Sequence, residues 1–128
     1  MFEFIQELKA FISALSLFSL VDIYRNEFVQ GSDWNPVFPC CLIRFENLDA
    51  NVFAADGRSL KDTAVIIIYV ATRFDPDQDA PSALELAESL YEALDGFEYE
   101  GSTVTQNNLR FVESAYGTDI YSIQITAR

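Results

Sequence analysis

The sequence predicts an α+β fold: one domain over residues 1–128, with a mostly antiparallel sheet, a long central strand at about 63–74, and two flanking helices at about 2–15 and 82–94. Three observations carry that expectation. Thr63-Ala64-Val65-Ile66-Ile67-Ile68-Tyr69-Val70-Ala71-Thr72-Arg73-Phe74 is a near-continuous run of β-branched and aromatic residues. That is the composition of a strand buried on both faces, and at about 3.3 Å per residue it spans roughly 40 Å. Two other segments repeat apolar residues at helical spacing, and the chain ends in a clean period-two alternation. Hairpin-like strand pairs on either side of one helix favour α+β over a doubly wound α/β sheet.

Taken in order, Met1 to about Leu15 is an amphipathic helix. Phe4, Ile5, Leu8, Phe11, Ile12 and Leu15 share one arc at about 100° per residue, with Glu3, Gln6, Lys9 and Ser13 off it. Ser16–Tyr24 is ambiguous, with Val21–Tyr24 a candidate short strand that could run on to Val29. Residues 30–36, containing Trp34, form a loop by their turn residues. Val37–Phe45 is a strand with Pro39 near its start, where a missing N–H is tolerated. Asn47–Asp62 is a long connection, with Val52-Phe53 on a possible hairpin arm and Asp56-Gly57 near its tip. Asp75–Asp79 then breaks the central strand. In Ser82–Leu94, Pro81 marks the start, Ser82 and Glu85 have capping-box spacing, and Gly96 marks the stop. Its expected buried arc is Ala83, Leu84, Ala87, Leu90, Tyr91 and Leu94. Asn108–Ser114 and Asp119–Ala127 close the sheet around a turn at Tyr116-Gly117.

Composition narrows the function. Half of the 128 residues are hydrophobic and eleven are Phe, a surplus that points to apolar surface buried against partners. Twenty acids against eight bases leave a formal charge of −12, which disfavours phosphate-mediated nucleic-acid binding and anionic membranes. The only cysteines, Cys40 and Cys41, are adjacent, so a mutual disulfide would distort a strand, and free thiols in a reducing compartment are expected. Glu3 and Glu7 interrupt the N-terminal apolar run, which has no basic n-region, so no signal peptide is expected there. No run of about 18 uncharged apolar residues is present to span a membrane.

The catalytic inventory is thin. There is no histidine, the five glycines stand singly at predicted turns, and no carboxylate pair stands out, so no catalytic residue, cofactor or metal is expected. Asp75, Asp77 and Asp79 alternate like the start of a calcium loop, but Ala80 and Leu86 stand where that loop needs Gly and Glu. Their simpler role is to precede the positive end of a helix dipole. Glu85, Glu88, Glu92 and Asp95 form an acidic surface, and no Lys or Arg occurs between Arg73 and Arg110. That face is either plainly solvated, or it repels DNA or meets a basic partner. The loop residues Trp34, Val37, Phe38, Val52 and Phe53 either fold back on the core or act as interface anchors; Trp34, Val52 and Phe53 are the oligomer-interface candidates.

This element order resembles the tail terminator (tail completion) proteins of long-tailed bacteriophages and their prophages. The resemblance lies in Pro39-Cys40-Cys41-Leu42-Ile43 as an early strand, Ala64–Phe74 as the long one, the helix Ser82–Leu94 and the closing Tyr121–Thr126. It covers most of the chain and rests on element order, size and strand texture. It implies a non-enzymatic structural protein that assembles into a homo-oligomeric ring of six, caps the tail tube and meets the head-completion proteins. Assembly in the bacterial cytoplasm and a final place in the virion neck would follow. A second reading, from charge alone, is an acidic binding module such as a DNA-mimic inhibitor of a nucleic-acid enzyme. A small-molecule binding protein is a third.

Overall fold

The computed structural model describes residues 2–25, 37–49, 63–73, 82–99, 102–115 and 118–127. They form an α+β domain in two layers: a six-stranded, mostly antiparallel sheet with two helices on one face. The elements are α1 (Phe2–Ala14), β1 (Leu20–Ile23), β2 (Cys40–Asp49), β3 (Thr63–Arg73), α2 (Ala83–Ala93), β4 (Glu98–Tyr99), β5 (Ser102–Ala115) and β6 (Thr118–Ala127). A short 3-10 turn, Leu94–Gly96, follows α2. In space the strands run β1-β2-β3-β6-β5-β4, and only the β1–β2 pair is parallel. The long apolar strand therefore lies inside the sheet, between β2 and β6.

Alternation along the strands divides the sheet into two unlike faces. Cys41 and Ile43 of β2, Ile66, Ile68 and Val70 of β3, and Ile123 and Ile125 of β6 point toward the helices. They meet Phe4, Ile5, Leu8 and Ile12 of α1, and Leu86, Ala87 and Leu90 of α2. Phe97 closes the gap between the helices, its ring 5.5 Å from Phe4 and 5.1 Å from Phe11. The predicted arc of α1 is thus the buried one. Ser82 caps α2 as its spacing implies, its Oγ accepting from the Glu85 N–H at 3.2 Å.

Several expectations need correction. Leu84 is 40% exposed, whereas Leu86, outside the predicted arc, is buried. Leu84 sits about 90° and Leu86 about 70° from the centre of the arc set by Ala83, Ala87, Leu90 and Leu94, so helical period separates them only weakly. The position of the core chooses Leu86. The second strand covers Cys40–Asp49 rather than Val37–Phe45. Pro39 has no N–H to give a ladder, and its carbonyl instead accepts from the Ser19 N–H at 2.9 Å. At the far end a register shift between Phe45 and Asn47 lets the ladder continue past Glu46. The strand expected from Asn108 begins at Ser102, and register shifts at Gln106/Asn108 and Phe111/Glu113 hide its alternation. The two-residue β4 has no sequence signature of its own.

Finally, β3 is not buried on both faces throughout. Ile66, Ile68 and Val70 are fully buried, but Ile67 and Tyr69 on the other side are only half-buried.

Candidate functional site

The sheet face opposite the helices is where the domain leaves its strands least covered by described residues. At one end a small second cluster forms from Cys40, Leu42, Ala71 and Ile120, with Leu20, Tyr24, Phe38 and Tyr69 against it. Tyr24 and Tyr69 pack with ring centres 5.0 Å apart and planes tilted by 45°. Arg44 extends this edge: it donates to the Tyr69 hydroxyl at 3.3 Å, lies 6.0 Å from the centre of the Tyr24 ring and pairs with Glu46 at 3.2 Å. Phe38, an apolar loop residue in the sequence, packs here and carries the Arg73 guanidinium 5.8 Å from its ring centre. Its neighbour Val37 is 53% exposed.

Toward the other end the face turns polar. Tyr69 pairs across the ladder with Ser122, and Ser122 with Arg110; in the next row, Ile67 pairs with Gln124 and Gln124 with Asn108. These residues and Val112 line a half-open depression of about 150 Å³. Its polar groups are one guanidinium, two side-chain amides and the Ser122 and Tyr69 hydroxyls; all can donate, and the Arg110 guanidinium can only donate. Arg110 is exposed and has no ion pair with any described residue, whereas Lys9, Arg25 and Arg44 are all paired.

The acidic face of α2 lies on the opposite side of the molecule. Glu85, Glu88 and Glu92 are exposed and have no ion pair with a described residue. Asp95 departs from the purely solvated reading. It accepts from Gln106 Nε2 at 2.7 Å, while the same amide donates to the Tyr91 carbonyl at 2.9 Å, and the Tyr91 hydroxyl donates to the Gln106 carbonyl at 3.5 Å. Asp95 therefore helps fasten α2 to β5. Trp34, Val52, Phe53 and the Asp75–Asp79 cluster lie outside the described residues, as do the Asp56-Gly57 and Tyr116-Gly117 turns.

Besides Arg44, which its hydrogen bond to Tyr69 pushes upward, two titrating groups are shifted by clear causes. Burial, first, and then the neighbouring Cys40 push the Cys41 thiol far above the ordinary thiol range, so it is inert rather than nucleophilic. For Asp22, partial burial pushes upward, but the Ile23 N–H at 2.8 Å, the Arg25 pair at 3.1 Å and Lys9 at 3.5 Å outweigh it and hold the carboxyl below its usual value. That cluster ties α1 to the edge strand β1. No cluster of three or more possible metal ligands occurs among the described residues, and none of their helices is long and apolar enough to cross a membrane.

What the geometry offers is a set of surfaces: a donor-rich sheet face, an acidic helix face and an edge strand. Sequence reasoning singled out the helix face but missed the sheet face. Its residues are scattered over β3, β5 and β6 and are united only by strand pairing. No family model and no curated protein sequence matches the chain.

Proposed function

We propose that the chain is a structural protein of the tail-terminator kind, working as a homo-oligomeric ring of six copies that caps a phage tail tube at the head–tail junction. The observation that carries this reading is the outer edge of β5. Its neighbour β4 pairs only with Ser102 and Thr103, so from Val104 to Ala115 that edge has no strand partner among the described residues. Phe111 and Val112 stand there 52% and 39% exposed. A long strand edge bearing apolar residues is an association surface. Two unlike faces on one protomer suit the head-to-tail contacts from which rings close. The helix-on-sheet layering, with the long apolar strand inside, fits the resemblance that the element order suggests.

Co-expression with the tail-tube protein encoded beside this gene tests the reading. Tubes terminated by a ring that contains the chain, seen by negative-stain microscopy, support it. Neighbouring genes that encode no tail proteins, or tubes that polymerise unchanged in its presence, count against it. The acidic face of α2 favours the second reading, a DNA-mimic inhibitor, and saturable binding to a basic nucleic-acid enzyme would shift the conclusion there.

A further inference from the structure

We infer that the donor-rich depression around Arg110 is the docking surface for the acidic face of α2 from a second copy of this chain. The inference rests on the ring reading and names the contact that would build it. The depression presents the Arg110 guanidinium, the Asn108 and Gln124 amides and the Ser122 hydroxyl, with Ile67 and Tyr69 as its apolar wall. No carboxylate lines it among the described residues. Arg110 can only donate and the amides and hydroxyls can turn donors to the same guest, so the set suits an acceptor-only group, and a carboxylate takes a guanidinium's paired N–H donors in a charge-assisted contact.

The complementary surface is on the same molecule. Glu85, Glu88 and Glu92 project from α2 about opposite its buried arc, spread over roughly 10 Å of helix. No Lys or Arg lies anywhere between Arg73 and Arg110 to neutralise them from within that stretch. Like charges at these spacings repel, so the face gains by meeting a cation it does not itself possess.

Geometry excludes an intramolecular solution. The helices cover one face of the sheet and the depression opens on the other, so α2 of the same protomer cannot reach it. Between copies, a donor face meeting an acidic face is a heterologous contact, the kind that propagates around a ring. A net charge of −12 opposes association in general, which makes an exposed cation with no described ion partner the natural point of entry. Val112 lines the same depression and adds apolar area to the contact.

Charge reversal on the full chain tests this, read by native mass spectrometry over a concentration series. Arg110→Glu and, separately, the pair Glu88→Arg with Glu92→Arg should each raise the concentration for half-assembly at least tenfold without lowering the melting temperature. A mixture of the two variant proteins restores both contacts between unlike chains, one native and one reversed, and should assemble into rings in which the variants alternate. All three changes in one chain should restore assembly. As a second readout, an oxidised mixture of Gln124→Cys and Glu88→Cys chains should cross-link. The native cysteines are fully buried and should not compete. If the wild type forms rings and Arg110→Glu forms them equally well, the docking surface is wrong and the ring reading stands. Loss of assembly with neither alternating rings in the mixture nor rescue in the combined variant also overturns the contact. A wild type that never assembles removes both.

Discussion

Leu84 and Leu86 provide a controlled comparison of what the core decides. They are two residues apart on α2, with Leu86 about 70° to one side of its apolar centre and Leu84 about 90° to the other, yet Leu86 is 6% exposed and Leu84 is 40% exposed. Replacing either by Ala removes three carbons. At about 0.8 kcal/mol per buried CH₂ the transfer loss at Leu86 is about 2.3 kcal/mol, and an unfilled cavity takes the total to about 2.5–4 kcal/mol. At Leu84 the same arithmetic gives at most about 1.4 kcal/mol, with no cavity because water fills an open site. Gains in helix propensity are equal for the two and cancel in the difference. Leu86→Ala should therefore cost at least about 1 kcal/mol more than Leu84→Ala, measured by urea unfolding with unchanged slopes, at a concentration where the chain is monomeric. Equal losses, or a larger one at Leu84, would refute the packing of α2 on the sheet described above.

Three further outcomes follow from the same surfaces and clusters. Changing Glu88 and Glu92 together to Gln should stabilise the monomer by about 0.5 kcal/mol at low salt, and less at high salt, because small like-charge terms along the helix are relieved. The same pair should weaken assembly, so the two readouts move in opposite directions. Neither Cys40 nor Cys41 should react with a thiol reagent at pH 8 in the native state, and both should react once the chain is denatured, since both side chains are fully buried. Asp22, held below its usual pKa, contributes stability that is present above the unfolded-state value and lost as pH falls through the lower folded value. Asp22→Asn should lower the melting temperature at pH 7 and flatten its decline on the acid side, with no difference between the two proteins once the carboxylate is protonated.

The sequence made some of this architecture legible and hid the rest for identifiable reasons. Both helices could be read because period, cap and stop agree: Ser82 meets Glu85, and the α1 arc from Phe4 to Ile12 is the one that packs. The isoleucine run in β3 correctly marked an interior strand. Its uniformity, however, masked the difference between Ile66 and Ile68, which face the helices, and Ile67, which does not. Strand ends were less legible because bulges at Phe45/Asn47 and in β5 break the alternation that signals a strand. Arg110 showed in the sequence only as the end of a cation-free stretch. Its setting depends on β5 pairing with β6 and β6 with β3, contacts between residues far apart in the chain.

The central claim is that this chain closes into a ring through unlike faces. Native mass spectrometry of the purified full chain, across concentration and ionic strength, tests it most directly. Screening by salt weakens the general repulsion of a −12 protomer more than a direct ion contact, so assembly should rise from low to moderate ionic strength. The account predicts one dominant closed species of six protomers, with the same species visible as rings by negative stain. A monomer at all concentrations and salts would contradict it, and so would a two-fold dimer that grows no further.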